Sequence, residues 1–333
     1  MNSKIDASIT FNSLSITKGE IWQIISALDE FEEWTGIGEE LFPSARRNEG
    51  ISFDWQLPML AYRFITGVGE RVLKSTAAMA CVQISIILVD DILDEEPDGI
   101  YQKLGSGETA NLALALQAAS SLLLAQCDVD DAARVAATIS LNRMILRTAA
   151  GQQLDTSNLT SEEDYWRVVR TKSAPYYGAS FEIGANLANC SKAVAESFYQ
   201  IGATLGEMIQ ISDDLEDAFT QPANADWVQG RNNLAILYGL TANHQYQDLF
   251  IKLKPHHLEA ETLHTLQQIL INSGAVSYCL YKLIERRKFI GHQIAMQQAP
   301  YAKQLEALVD TQLQPVKTLL KRIAPEIALD ALW

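Results

Sequence analysis

The sequence predicts an all-α protein, and three observations carry that prediction. The prolines fall at 43, 58, 97, 175, 222, 255, 300, 315 and 325, which leaves residues 98–174 and 176–221 free of the strongest helix breaker. Those stretches are rich in Ala, Leu, Gln and Glu, which favour helix. Alternating strand patterns with tight turns are absent apart from Asp98-Gly99, which lies in an acidic loop and not between two strands.

Taken in order, a first helix over about 18–33 precedes Pro43, and a second, over about 57–93, opens at Pro58 and runs through QISIILV into an acidic end. The third, about 107–126, is apolar around its whole circumference, as expected of a helix packed inside a bundle. Helices over about 129–152, 161–188 and 191–219 fill the long proline-poor centre, the last ending in a second acidic run before Pro222. Shorter ones follow at about 231–239, 257–272, 274–297 and 301–322, set off by Pro255, Pro300 and Pro325.

With 48% hydrophobic and 20% charged residues, the chain of 333 residues is globular in composition, neither disordered nor collagen-like. No linker, fixed-period repeat or low-complexity tract marks a boundary, so one domain over residues 1–333 is expected. Lys+Arg number 26 against 41 Asp+Glu, a formal charge of -15 that argues against nucleic acid or an anionic membrane surface as partner. Small anions bound through metals stay open. Cys81, Cys127, Cys190 and Cys279 lack metal-ligand spacing and read as buried thiols. The start MNSKIDASITFNS lacks a signal-peptide pattern, and no uncharged apolar run approaches the roughly 18 residues of a membrane span. A soluble, cytoplasmic protein without a transmembrane segment is the expectation.

The chemistry concentrates in two acidic clusters. QISIILVDDILDEEPD places Asp90, Asp91 and Asp94 at the end of an apolar helical run, and MIQISDDLEDAF repeats the spacing with Asp213, Asp214 and Asp217. Residues four apart share a helix face, so each cluster can present paired carboxylates to a hard cation. If the two helices faced each other, the basin would repel itself without bound cations, and magnesium shared with substrate phosphates is the natural occupant. The five histidines match no metalloprotease or nucleophile–base pattern, and the hydrolase elbow, P-loop and dinucleotide fingerprints are absent.

Several stretches together make the chain resemble the trans-isoprenyl diphosphate synthases, with the isoprenoid synthase fold, over roughly residues 50–322. Asp90-Asp91-Ile-Leu-Asp94 is similar to that family's first aspartate-rich motif, and Gln83 matches its upstream His or Gln. Gly151-Gln152-Gln153-Leu154-Asp155 resembles a GQxLD segment, Lys172-Ser173 a Lys-Thr pair, and Gln210 through Asp217 the second aspartate-rich motif. Gly230-Arg231-Asn232-Asn233-Leu234 is a weaker echo of the segment that follows it. The resemblance implies that Asp90, Asp94 and Asp213 are the direct magnesium ligands, with Asp91, Asp214 and Asp217 as ligands or their supports. It implies that Lys172 and Arg231 hold an allylic diphosphate, with Gln152, Gln210 and Gln83 beside it, and that the protein is a homodimer.

Two departures bear on function. The resembled family carries a GGKRxRP-like segment where this chain has Ser52-Phe53-Asp54-Trp55-Gln56-Leu57-Pro58, and an Arg-Arg-Gly where it has Glu95-Glu96-Pro97-Asp98-Gly99. A carboxylate in place of a lysine repels a phosphate, so the site for a second diphosphate looks lost or rebuilt, and Trp55 could instead face a carbocation with its ring. Arg46, Arg47, Arg63 and Lys103 are the remaining cations for a rebuilt site. The first expectation is therefore a class I terpene synthase on this fold. The alternative is a prenyltransferase that condenses an allylic diphosphate with isopentenyl diphosphate, and a lesser one is a noncatalytic subunit. Small Ser85, next to Ile86 and one turn before Asp90, leaves the apolar tunnel open for a C15 or C20 chain.

Overall fold

The structure, a computed structural model, describes residues 16–155, 161–228, 233–297 and 302–323. Its helices are α1 (Lys18–Ser26), α2 (Gly38–Leu41), α3 (Phe53–Thr66), α4 (Leu73–Leu93), α5 (Tyr101–Leu104), α6 (Ser106–Ala125), α7 (Asp131–Asp155), α8 (Glu162–Thr171) and α9 (Ala174–Leu187). They continue as α10 (Lys192–Ala218), α11 (Ala225–Val228), α12 (Leu234–Thr241), α13 (Gln247–Leu253), α14 (Ala260–Asn272), α15 (Ala275–Gln297), α16 (Ala302–Thr311) and α17 (Gln314–Ile323). Among the described residues the sole β feature is an isolated bridge between Thr17 and Gly50, so the all-α expectation holds.

Three of the expected helices are split, each for a readable reason. The run over 57–93 divides at Gly67, which takes a left-handed φ of 84° and caps α3, a conformation costly for any residue with a Cβ. The same helix starts earlier than Pro58, at Phe53, where the Ser52 side chain accepts from the Asp54 N–H. The run over 161–188 breaks at Lys172 and Ser173. A continuous helix would press the Pro175 ring against the carbonyl of Thr171, four residues back, and α8 ends at that threonine. Pro315 acts in the same way on Thr311, the last residue of α16. The run over 18–33 also stops early: α1, held by a Thr17–Glu20 capping box, ends at Ser26, Leu28 is extended, and a 3-10 segment covers Asp29–Ile37. The short α2, α5, α11 and α13 were not expected.

The chain divides into two compact units, Met1–Leu141 with Ile183–Ser191, and Asn142–Glu182 with Lys192–Trp333. In the first, α4 packs against α6, α3 and α1. Ala77 through Val82 are wholly buried, which is why α4 is apolar all round. The segment Glu70–Leu93 is long and apolar enough to cross a membrane by length and composition, contrary to the expectation that no run approaches that size. Yet 61% of its most apolar window is buried inside the protein, the behaviour of a core helix. In the second unit α10 packs against α15, α12, α17 and α8. Gly202 and Gly206 set how closely α10 approaches the start of α9: a Cβ on Gly202 would lie 2.3 Å from the Tyr177 carbonyl oxygen. Cys81, Cys127 and Cys279 are buried free thiols, whereas Cys190 is half-buried.

Candidate active site

The second unit holds a polar pocket of about 240 Å³, lined among others by Lys172, Gln210, Asp213, Asp214, Asp217 and Asp226. Local sequence accounts for how these side chains meet. The Pro175 break makes Lys172 the C-cap residue of α8 and frees its side chain from the helix. On α7, a Cβ at Gly151 would stand 2.4 Å from the backbone nitrogen of Lys172, so the two chains can touch there because position 151 is glycine. One helical turn on, Asp155 shares the face of Gly151, and its Oδ2 receives the Lys172 ammonium at 2.6 Å. Both side chains are 21% exposed, so this pair is partly shielded from solvent.

On α10 the acidic cluster resolves into different roles. Asp213 is exposed and Asp217 half-buried, four residues on along the same face. Asp214 points the other way and is buried. Its carboxylate accepts from the Tyr165 hydroxyl at 2.6 Å, the Leu234 N–H at 2.8 Å and the Gln210 amide at 2.9 Å. Burial raises its pKa to about 7, against those three hydrogen bonds, which lower it. With both oxygens engaged by protein donors, Asp214 fits a supporting role better than direct metal ligation. Gln210 is fixed in turn: its amide NH₂ goes to Asp214, and its oxygen accepts from the Ser173 hydroxyl at 2.8 Å. The segment after α10 folds back, with the Asn224 amide donating to Asp217 at 2.7 Å.

A further layer orients α8. Arg286 stacks on the Trp166 ring at 4.0 Å and pairs with Glu207 at 2.7 Å, and Trp166 and Tyr278 both donate to Glu162. The Glu162 carboxyl is held below its ordinary range despite burial, by hydrogen bonds from Tyr278 and Trp166 and the charge of Lys282. Gln152 is buried beside Gly151 and its amide nitrogen has no hydrogen-bond partner among the described residues. Arg231 lies outside the described residues.

In the first unit, Asp90 and Asp91 occupy the last turn of α4 and Asp94 caps it, its N–H bonded to the Asp90 carbonyl at 2.8 Å. The Asp91 carboxyl is pushed above its usual range by burial and then by Asp90, Glu96 and Asp94, a repulsion that a cation would relieve. Gln83 is already engaged: the Trp55 indole donates to its oxygen at 2.5 Å, and its own NH₂ donates to Asp54 at 3.1 Å. The Trp55 ring is buried and packs near Phe42, with centroids 6.1 Å apart. Of the cations proposed for a rebuilt acceptor site, Lys103 pairs with Glu40 and Arg47 with Glu39, whereas Arg63 has no side-chain partner among the described residues. Ser85 is fully buried, its hydroxyl turned to the Val82 carbonyl, and Ile86 beside it is half-buried. Ser85→Phe is expected to shorten the preferred prenyl chain by at least one C5 unit, read by comparing products from substrates of graded length; unchanged preference contradicts the tunnel argument.

Among the described residues no group of three or more His, Cys, Asp or Glu side chains is placed to hold a metal ion unaided. The donors present are carboxylate oxygens, the kind magnesium takes when waters and substrate phosphates complete its shell. The acidic residues therefore fit magnesium shared with a diphosphate. Tyr165 and Asp226 line the pocket and Asn224 bonds Asp217, and sequence reasoning singled out none of the three, whereas Asp155 was noted only as the end of the GQxLD-like segment. Tyr165 carried a signal, since it stands seven residues before Lys172, two turns along one helix face.

The chain is all-helical with a lysine and clustered carboxylates around a pocket, and comparison with known proteins gives the class to which it belongs. The polyprenyl synthetase family matches residues 56–269, and the chain belongs to that family. It is 23% identical over 217 residues to a geranylgeranyl diphosphate synthase of Methanosarcina mazei, covering 60% of this chain and 67% of that protein. A shorter stretch of 83 residues is 32% identical to heptaprenyl diphosphate synthase component 2 of Geobacillus stearothermophilus, covering 23% of this chain but 26% of that relative. A polyprenyl synthetase structure from Streptomyces coelicolor superposes with a TM-score of 0.75 at 16% identity, covering 89% of this chain and 96% of that one. The fold is that of the isoprenoid synthases. These relatives carry the names of prenyl diphosphate synthases and not of terpene cyclases, which favours the alternative expectation over the first.

Proposed function

We propose that the protein is a magnesium-dependent prenyl diphosphate synthase that ionises an allylic diphosphate and joins the allylic cation to isopentenyl diphosphate. The pocket that sets Lys172 among Gln210, Asp213 and Asp217, in a chain of the polyprenyl synthetase family, carries this reading. Magnesium, when bound, would neutralise the charge that grows on the departing pyrophosphate. Asp213 and Asp217 would supply carboxylates to it in this pocket, and the family resemblance implies Asp90, Asp91 and Asp94 as further ligands. Lys172 exchanges Asp155 for a phosphate oxygen, a charge-assisted contact that strengthens as the bond to the allylic carbon breaks. Asp155 holds the ammonium in place until then. Gln210, pinned by Asp214 and Ser173, holds its orientation through the step, the unpartnered Gln152 amide is a donor in reserve, and Arg231 supplies a second cation. A prenyl chain of C15 or C20 suits the small Ser85.

Product analysis with magnesium and geranyl, farnesyl or geranylgeranyl diphosphate, each with and without isopentenyl diphosphate, tests the proposal. A longer prenyl diphosphate formed only with isopentenyl diphosphate supports it. A hydrocarbon or alcohol formed without isopentenyl diphosphate establishes instead the second reading, a class I terpene synthase. The Asp54–Gln83–Trp55 cluster supports that second reading, because Asp54 and Trp55 stand in the sequence where the resembled family has cations, and here both are engaged with Gln83 instead.

A homodimer forms part of the proposal. Val135, Ile139 and Leu146 make an exposed apolar stripe on one face of α7, 58%, 52% and 74% exposed. The double substitution Ile139→Glu with Leu146→Glu is expected to convert a dimer to a monomer by light scattering; a wild type that is monomeric at micromolar concentration contradicts it.

A further inference from the structure

Asn233 uses its whole side-chain hydrogen-bonding capacity inside the second unit and is 1% exposed. Its Oδ1 accepts from the Ala235 and Ile236 N–H groups at 3.0 and 3.2 Å, capping α12. Its NH₂ donates to the Asp214 backbone carbonyl at 2.7 Å and to the Asp226 carboxylate at 2.8 Å. One residue therefore ties together the acidic turn of α10, a carboxylate that lines the pocket, and the start of α12, whose Leu234 N–H itself bonds Asp214. Capping alone needs only the oxygen. The two donor bonds reach into the pocket wall, and they approach it from the chain position two residues after Arg231.

We infer that Asn233 is a positioning residue for diphosphate binding, holding Asp226 and the Asp213–Asp217 face of α10 in the register that binds magnesium pyrophosphate. The inference rests on the diphosphate reading above and assigns it a residue outside the aspartate-rich motifs. Its geometry makes a sharp demand, because the NH₂ stands between a carbonyl and a carboxylate. Aspartate at this position keeps the cap but turns both donor bonds into repulsions between acceptors. Serine keeps the cap, adds no charge and leaves both acceptors without their donor.

The test is calorimetric titration of the full chain with inorganic pyrophosphate in the presence of magnesium, for wild type, Asn233→Asp and Asn233→Ser, with thermal midpoints to confirm folding. The expected result is wild-type binding with pyrophosphate affinity weakened by about tenfold or more in both variants, the range set by losing one or two buried hydrogen bonds. A folded variant of either kind that binds magnesium pyrophosphate as wild type does would leave Asn233 a helix cap only and overturn the inference. A wild type that fails to bind magnesium pyrophosphate overturns the diphosphate reading itself, and this inference with it.

Discussion

Asp213→Asn is expected to lower prenyl diphosphate turnover by about a thousandfold, roughly 4 kcal/mol of transition-state stabilisation, while leaving the thermal midpoint nearly unchanged. Asp213 is exposed at the pocket, where the proposed magnesium site would draw on its carboxylate. Loss of a magnesium ligand removes stabilisation that matters most when negative charge gathers on the leaving pyrophosphate. The neighbouring Asp214→Asn substitution provides the contrast. It replaces one carboxylate oxygen with an NH₂, which must face either the Gln210 amide or the Tyr165 and Leu234 donors in a buried site. It should therefore cost about 1–3 kcal/mol of folding stability as well as activity. Steady-state kinetics and thermal melts on the two variants separate these roles. Equal loss of stability in both would contradict the division of labour along α10.

Gly151→Ala is expected to reduce kcat by about a hundredfold and to destabilise the fold by about 1–3 kcal/mol, although it adds a single methyl group. That methyl would meet the Lys172 nitrogen and the Thr171 carbonyl carbon, both at 2.4 Å, and backbone cannot swing aside as a side chain can. The helix must back away, and with it goes Asp155, the carboxylate that orients Lys172. Lys172→Ala, which removes the cation directly, should match the kinetic loss with a smaller loss in stability, because it leaves Asp155 without its ammonium but forces no backbone apart. Kinetics and melts of both variants check the pair. A fully active Gly151→Ala enzyme would show that the approach of α7 to Lys172 does not matter.

The long central helices were legible because apolar residues and missing prolines leave a chain little choice but helix, and α6, α7, α10, α14 and α15 lie within a few residues of their expected spans. The breaks were less so. Pro175 was visible, but its consequence falls four residues earlier, at Thr171, and so decides that Lys172 ends a helix instead of riding along one. Both aspartate-rich clusters were legible as carboxylates at helix ends, yet the pattern does not say which members face the pocket. In hindsight Gln210 and Asp214 are four apart and share the buried side, while Asp213 and Asp217 share the other. Tyr165 and Asn233 meet Asp214 from different helices, 49 and 19 residues away, and no local periodicity announces such contacts. The cluster of Asp54, Gln83 and Trp55 shows the same limit: each residue was singled out, but their mutual hydrogen bonds depend on α3 and α4 packing together.

A crystal structure of the protein with magnesium and an unreactive farnesyl thiolodiphosphate would show whether Lys172 and the outward face of α10 bind a diphosphate together with magnesium. The diphosphate is expected in the second-unit pocket, with the Lys172 ammonium moved from Asp155 onto a phosphate oxygen and magnesium bound by Asp213. A diphosphate bound elsewhere, or Lys172 still paired with Asp155 beside an occupied pocket, would contradict that expectation.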